Sequence, residues 1–165
     1  MKKTLVAALL ALLSLTFVEA KQRKAEDPVL QFNENGKFKI VQFTDTHLGY
    51  NNRPAYDKSV EMITSIVKTE KPDLVIFTGD IVTGAPMKQG LDNLFAPLDE
   101  MGVPFMLLLG ALDWEDELPA WAVDKVAISH KSSTNTMSQD YLDDIALRIK
   151  SSDGKKVAAV VYGMD

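Results

Sequence analysis

The 165-residue sequence predicts an α/β fold in which strands alternate with helices and a hairpin follows. Three observations predict it. Short, largely apolar runs typical of strands recur near residues 37–43, 73–80 and 103–110. The segments between these runs repeat apolar residues at helical spacing. The second run is apolar without alternation, which is typical of a strand buried on both faces of a parallel sheet.

The first half of the chain supplies a strand, a helix and a second strand. The first strand is predicted over residues 37–43. The first helix is predicted over residues 54–69, because Pro54 suits a first helical turn and Pro72 ends the run. Its apolar stripe consists of Tyr56, Val60, Ile63 and Val67. The second strand is predicted over residues 73–80.

A second helix and a third strand follow. The helix is predicted over residues 88–101, and Gly102 suits the position just past its end. Pro97 lies inside this span, so we expect a kink or a shorter helix. The apolar face of the helix consists of Leu91, Leu94, Phe95, Leu98 and Met101. The third strand is predicted over residues 103–110.

The last part of the chain predicts a short helix and a hairpin. The helix is predicted over residues 118–128, with Trp121 packing inward. Apolar residues alternate over 145–149, a turn signal follows at 151–154, and residues 156–164 are again apolar. Two such runs around a turn predict a β-hairpin.

Composition narrows the classes of function. The chain carries 18 Lys+Arg against 23 Asp+Glu, a net charge of -5, which argues against a nucleic-acid partner. It contains no cysteine, so disulfides and thiolate metal sites are excluded. The length suits one ordinary domain.

Residues 1–20 have the layout of a secretory signal peptide. Lys2 and Lys3 precede an apolar run over residues 5–18, and a small-residue ending follows. The alternative is a membrane anchor, but a span needs about 20 apolar residues. We therefore expect export, to a periplasm or outside the cell, without a stable membrane anchor. Residues 21–36 are predicted as a loose lead-in segment, and residues 37–165 as the domain.

Polar residues follow the first two predicted strands directly. Asp45 and His47 come after the first strand, and Asp80 closes the second. Ligands bind beyond the carboxyl ends of parallel strands, so we expect these side chains to converge. Because side chains alternate in an extended segment, Asp45 and His47 are expected on one side of it. A carboxylate and an imidazole suit Zn, Fe or Mn, and Gly79 lets the backbone pass close to such a site.

The stretches "FTDTHLG", "FTGD" and the "G..D" of "LLLGALDWE" resemble motifs of the calcineurin-like metallophosphoesterase superfamily, which includes purple acid phosphatases and many secreted bacterial phosphoesterases. The resemblance runs from about Phe38 to the last residue. It implies the N-terminal half of a metallophosphoesterase-type α/β sandwich. It also implies two metal ions that bind phosphate and activate water for in-line attack on a phosphate ester.

Family roles transfer to matching positions only in part. Asp45 and His47 would bind the first metal, and Asp80 would bridge both metals. The third family motif reads Gly-Asn-His followed by an acid: its asparagine binds the second metal and its histidine acts near the leaving group. Here Ala111 and Leu112 occupy those two positions. Asp113 takes the place of the acid that orients the histidine, so with nothing to orient it is expected to be a solvated or capping aspartate.

Other departures concern metal ligands that the family carries elsewhere. Family domains run to about twice this length and supply a lone histidine and a Gly-His-x-His motif, which is absent here, so the domain is expected to be partial. His130 lies in a polar stretch and is expected to be a surface histidine. Thr83 stands where purple acid phosphatases carry a metal-binding tyrosine, which favours the broader family over that branch. At most one ion is therefore expected.

The expected function is hydrolysis of a small phosphomonoester or phosphodiester by metal-activated water, impaired by truncation and by Ala111 and Leu112. One alternative is a noncatalytic exported module that binds a metal or a phosphate ligand. Another is a non-functional remnant that self-associates through uncovered sheet surface.

Overall fold

The computed structural model describes residues 28–113, 117–136 and 145–164, and within these ranges it is a mixed α/β fold. In chain order the elements are β1 (Ile40–Phe43), β2 (Leu48–Gly49), α1 (Arg53–Glu70), β3 (Leu74–Thr78), β4 (Val82–Thr83), α2 (Met87–Met101), β5 (Phe105–Leu108), a 3₁₀ turn (Ala111–Asp113), α3 (Ala120–Ser129), β6 (Ile145–Lys150) and β7 (Val157–Gly163). The predicted alternation of strands and helices, followed by a hairpin, is confirmed.

The centre of the fold is a parallel sheet in the order β1-β3-β5. Its register pairs Ile40 with Leu74 and Val75 with Phe105. A parallel arrangement brings the carboxyl ends of all three strands to the same edge of the sheet. The loops that carry the predicted site residues therefore leave from that edge.

One face of this sheet packs against the three helices. Val75 and Phe77 of β3, with Phe105 and Leu107 of β5, face the helices. Their neighbours in sequence point to the opposite face because side chains alternate along a strand. The helices contribute Tyr56, Ile63, Val67, Leu91, Leu94, Phe95, Leu98, Val123, Val126 and Ala127.

The other face of the sheet packs against the β6–β7 hairpin. Leu74, Ile76 and Met106 of the central strands form a second buried cluster with Ile149 of β6. The hairpin thus covers part of the sheet face that the sequence had led us to expect to be exposed. Its outer face still exposes Val160 and Tyr162, among other apolar residues. Self-association through such surface stays a prediction.

The description of residues 21–36 as a loose lead-in is wrong for the part that the structure describes. Leu30 is buried in the second cluster. The backbone N–H of Phe32 donates to the carbonyl of Lys150 (3.0 Å), and Gln31 forms a parallel bridge with Lys150. Residues 28–32 are therefore hydrogen-bonded to the hairpin and packed against it.

The predicted signal peptide lies outside the described residues, which begin at residue 28. Within the described ranges, no helix is long and apolar enough to cross a membrane.

Two expectations about the helices can be compared with the structure. Pro97 does not shorten α2, which continues to Met101 and ends at Gly102 with φ 64°. The buried apolar stripe of α2 holds the helix together across the proline, so packing outweighs the lost hydrogen bond. Trp121 does not pack inward: it is 48% exposed, and α3 instead buries Val123, Val126 and Ala127.

His130 is not a surface histidine. Its side chain is only 11% exposed and lies edge-on to the ring of Phe95. Its Nδ1 lies 2.8 Å from Oδ2 of Asp99, and its Nε2 lies 3.4 Å from Oδ1 of Asp92. The partners belong to α2, about thirty residues earlier, so the local sequence around His130 did not reveal them.

The Asp99–His130 pair predicts a pH-dependent contribution to stability. Burial raises the pKa of Asp99, but hydrogen bonds from the Ser132 backbone and from His130 outweigh it, so the pKa lies below its usual value. A carboxyl with a lowered folded-state pKa stabilises the fold above its unfolded pKa of about 3.9 and loses this contribution as pH falls through the folded pKa. The melting-temperature gap between wild type and Asp99→Asn should therefore shrink from about pH 5 to about pH 3. Exposed Glu100→Gln, on the same helix, is the control, and a gap for Asp99→Asn that stays constant with pH would contradict the prediction.

Candidate metal centre

The loops after β1 and β3 are joined side by side beyond the edge of the sheet. The backbone N–H of Asp45 donates to the carbonyl of Gly79 (3.1 Å), and that of His47 donates to the carbonyl of Asp80 (2.9 Å). The contact continues as the short parallel ladder of β2 and β4, which was not predicted. These hydrogen bonds hold the two loops at a fixed register, which places their polar side chains together.

The structure brings the three predicted ligands into one group. Asp45, His47 and Asp80 each offer one ligand atom, and these atoms all lie within 4.8 Å of one another. Asp45 and His47 are exposed, and Asp80 is half-buried. The group of Asp45, His47 and Asp80 is therefore open to solvent. Within the described parts of the chain, no other group of three His, Cys, Asp or Glu side chains meets this distance condition.

The backbone at Asp45 and His47 differs from the extended form that was expected. The φ angles of Asp45, His47 and Asp80 are 52°, 43° and 54°, which is the left-handed region. Such a conformation costs a non-glycine residue about 1–3 kcal/mol and tends to cluster at functional sites. Lys71, at the end of α1, is the one other described non-glycine residue in this region. The three side chains converge because the backbone is turned at each ligand, and the alternation argument was wrong.

The donor set fits one metal ion. Two carboxylates and an imidazole are ligands that Zn, Mn and Fe accept, and three protein ligands hold one ion with water in the open positions. One oxygen of each carboxylate is already engaged: Oδ1 of Asp80 accepts from the backbone N–H of Leu112 (3.0 Å), and Oδ2 of Asp45 accepts from the hydroxyl of Thr44 (2.5 Å). Ala111 offers no ligand atom, so the described residues do not complete a second site.

The third loop approaches the second at two glycines. A Cβ on Gly79 would lie 2.7 Å from the Cα of Gly110, and a Cβ on Gly110 would collide with the Asp80 carboxylate. Both positions therefore require glycine for this close approach. The sequence predicted this for Gly79 but not for Gly110.

The two residues that replace the family's polar pair lie at the rim of the group. The side chains of Ala111 and Leu112 are exposed, and that of Leu112 is 38% exposed. The backbone N–H of Leu112 contacts the site through its hydrogen bond to Asp80. The side chain at position 112 is therefore apolar, and it can neither transfer a proton nor bind phosphate.

Asp113 is neither solvated nor a simple cap. Its side chain is 2% exposed, and its carboxylate accepts backbone N–H groups from Gly110, Asp80, Ile81 and Val82 at 2.9, 2.8, 2.7 and 3.4 Å. Burial raises the pKa of this carboxyl, and the four hydrogen bonds offset only part of that rise. Three of its donors come from the loop after β3, about thirty residues earlier, so the local sequence did not indicate them.

Comparison with known proteins places the sequence beside phosphatases. The family model described as "Calcineurin-like phosphoesterase" matches residues 38–162. The relatives include phosphatase DCR2 of Saccharomyces cerevisiae, 29% identical over 71% of this chain and 23% of that protein. Probable inactive purple acid phosphatase 14 of Arabidopsis thaliana is 30% identical over 54% of this chain and 26% of its own length. Probable inactive purple acid phosphatase 29 of the same organism is 32% identical over 64% of this chain and 31% of its own length. The chain thus spans about a quarter to a third of the curated relatives it matches.

Two of these names belong to the branch that Thr83 was expected to disfavour. In the structure Thr83 lies in β4 and pairs with Gly49. The absence of a tyrosine at this position therefore does not separate the sequence from proteins that carry the purple acid phosphatase name.

Proposed function

The chain belongs to the calcineurin-like phosphoesterase family, and from this premise we propose that it is a metal-dependent phosphoesterase-type hydrolase that binds one ion and turns over slowly. The observation that carries the proposal is the group of Asp45, His47 and Asp80, whose ligand atoms lie within 4.8 Å of one another. The substrate class is a small phosphomonoester or phosphodiester.

Each residue of the group has a separate part in this proposal. Asp45 and His47, from one loop, and Asp80, from its neighbour, would hold a divalent or trivalent ion. When bound, such an ion supplies Lewis-acid chemistry, which neutralises charge on a phosphate ester and makes water more acidic. The N–H of Leu112 donates to Oδ1 of Asp80, which helps to hold the orientation of that carboxylate.

The slow turnover follows from the residues of the third loop. Protonation of a leaving group by a positioned acid contributes about 10²- to 10⁴-fold in rate. Ala111 and Leu112 provide no such group at the rim of the site. Asp113 is buried beneath the loop with its carboxylate satisfied by backbone N–H groups, so it does not replace the missing acid.

A second candidate is a noncatalytic module that binds a metal or a phosphate ligand. The exposed apolar side chain of Leu112 at the histidine position of the third family motif favours it, because leucine cannot transfer a proton. The word "inactive" in the names of two relatives points the same way. This candidate has the same metal group but no turnover.

Hydrolysis assays separate the two candidates. With Mn²⁺, Zn²⁺ or Fe²⁺ added, the full chain is expected to hydrolyse p-nitrophenyl phosphate or its bis-ester slowly, and only in the presence of metal. Asp80→Asn should remove this turnover, whereas Asp153→Asn, in the hairpin turn, should leave it unchanged. Metal binding without hydrolysis would establish the noncatalytic module instead. Turnover that survives in Asp80→Asn would place the chemistry at another site.

A further inference from the structure

The proposed function assigns no part to the buried carboxylate of Asp113. The family resemblance would have this acid orient a histidine, yet Leu112 stands in the histidine position. A buried carboxylate is costly unless its oxygens are hydrogen-bonded. Here they are, although the partners are backbone groups of a different loop.

The donors around Asp113 form an anion-binding nest. Oδ2 accepts the N–H groups of Asp80 (2.8 Å) and Gly110 (2.9 Å). Oδ1 accepts those of Ile81 (2.7 Å) and Val82 (3.4 Å). Three successive backbone N–H groups, from residues 80 to 82, therefore point at one carboxylate. Successive N–H groups in a turned backbone make a concavity that favours a negative charge.

The nest includes the turn that carries a metal ligand. Gly79 and Asp80 have φ angles of 92° and 54°, so the chain turns through the left-handed region directly before the nest. A non-glycine residue keeps such a conformation only when its surroundings determine it more strongly than its own preference. The hydrogen bond from the N–H of Asp80 to Asp113 acts on the strained residue itself.

We propose that Asp113 is a positioning residue for the metal site: it holds the Gly79–Asp80 turn, through the backbone, in the conformation that aims the Asp80 carboxylate at Asp45 and His47. It does not touch the ion. It acts with the N–H of Leu112, which fixes one oxygen of Asp80. The effect on metal affinity rests on the proposed function, whereas the effect on the turn does not.

The test begins with Asp113→Asn, which preserves the size of the side chain. The substitution removes the negative charge from the nest and turns an NH₂ donor toward backbone N–H donors. Loss of a group that orients a metal ligand typically costs about 10- to 100-fold in metal affinity. The Kd for Mn²⁺, measured by titration calorimetry on the full chain, should rise by about this factor. Asp113→Glu, which restores the charge, should recover part of the affinity.

The matched control is Asp99→Asn. Asp99, on α2, is part-buried, and its carboxylate likewise accepts a backbone N–H, from Ser132 at 2.8 Å. The carbonyl of Ser132 accepts the N–H of Phe105, so this contact lies near the amino end of β5, away from the metal group. Its replacement should lower the melting temperature and leave the Kd for Mn²⁺ unchanged. Asp113→Asn with wild-type Kd would overturn the proposal. An equal rise in Kd for Asp99→Asn would also overturn it, because general loss of stability would then explain the effect.

Amide hydrogen exchange without metal gives a second, independent result. In Asp113→Asn the amides of residues 80–82 should exchange faster, while those of Phe105–Leu108 change little. If the wild-type chain binds no Mn²⁺, the proposed function fails, and this exchange pattern still decides whether Asp113 holds the turn. Unchanged exchange at residues 80–82 would overturn the positioning role.

Discussion

Asp80→Asn is expected to weaken Mn²⁺ binding by at least about 100-fold, because loss of groups that merely orient ligands already costs about 10- to 100-fold. The substitution keeps the shape of the side chain and an oxygen that can accept the N–H of Leu112. What it removes is the carboxylate charge that lies within 4.8 Å of the ligand atoms of Asp45 and His47. The effect should therefore appear in metal affinity and not in the fold. Titration calorimetry and a thermal melt of the same sample measure both.

Asp153→Asn is the matched control for this experiment. Asp153 is exposed and lies in the turn of the β6–β7 hairpin. Gly163, at the far end of that hairpin, packs close to Leu108 at the carboxyl end of β5, so the turn lies at the opposite end of the sheet from the metal group. The control should bind Mn²⁺ as wild type does. Wild-type affinity in Asp80→Asn would mean that the ion binds elsewhere.

The double substitution Ala111→Asn with Leu112→His is expected to raise hydrolysis of an alkyl phosphate by about 10²- to 10⁴-fold, the usual contribution of a positioned general acid. An alkoxide leaves poorly without a proton, whereas p-nitrophenolate leaves without one. The gain should therefore be much larger for an alkyl phosphate than for p-nitrophenyl phosphate. Rates on the two esters, measured with the same metal, give the comparison.

Trp121→His controls for the addition of a histidine to the surface. Trp121 is an exposed apolar residue on α3, outside the metal group. This variant should hydrolyse both esters at the wild-type rate. A double variant that gains equally on both esters, or gains nothing while still binding metal, would contradict a role for position 112 in leaving-group protonation.

Much of the fold could be predicted because its signals are local. The continuous apolar run of β3 indicated burial on both faces, and the structure packs Val75 against the helices and Leu74 against the hairpin. The stripe of α2 and the stop at Gly102 were visible for the same reason. Trp121 was mispredicted because periodicity alone did not fix which face of the short helix α3 meets the core.

The residues that form the site could be predicted from the sequence, but the backbone geometry that brings them together could not. Their position at strand ends predicted that Asp45, His47 and Asp80 lie close together, yet the extended geometry assumed for Asp45 and His47 was wrong. Left-handed backbone at these residues depends on hydrogen bonds between loops, which one segment of sequence does not display. Asp113 and His130 were misplaced for a similar reason, since their partners lie about thirty residues away.

The number of Mn²⁺ ions bound per chain tests the central claim most directly. The claim is that Asp45, His47 and Asp80 form a site for one ion. Titration calorimetry, checked by metal analysis after gel filtration, should give about one Mn²⁺ per wild-type chain and almost none in Asp80→Asn, as three protein ligands are enough for one ion. Less than about a tenth of an equivalent in the wild-type chain, or two ions per chain, would contradict it.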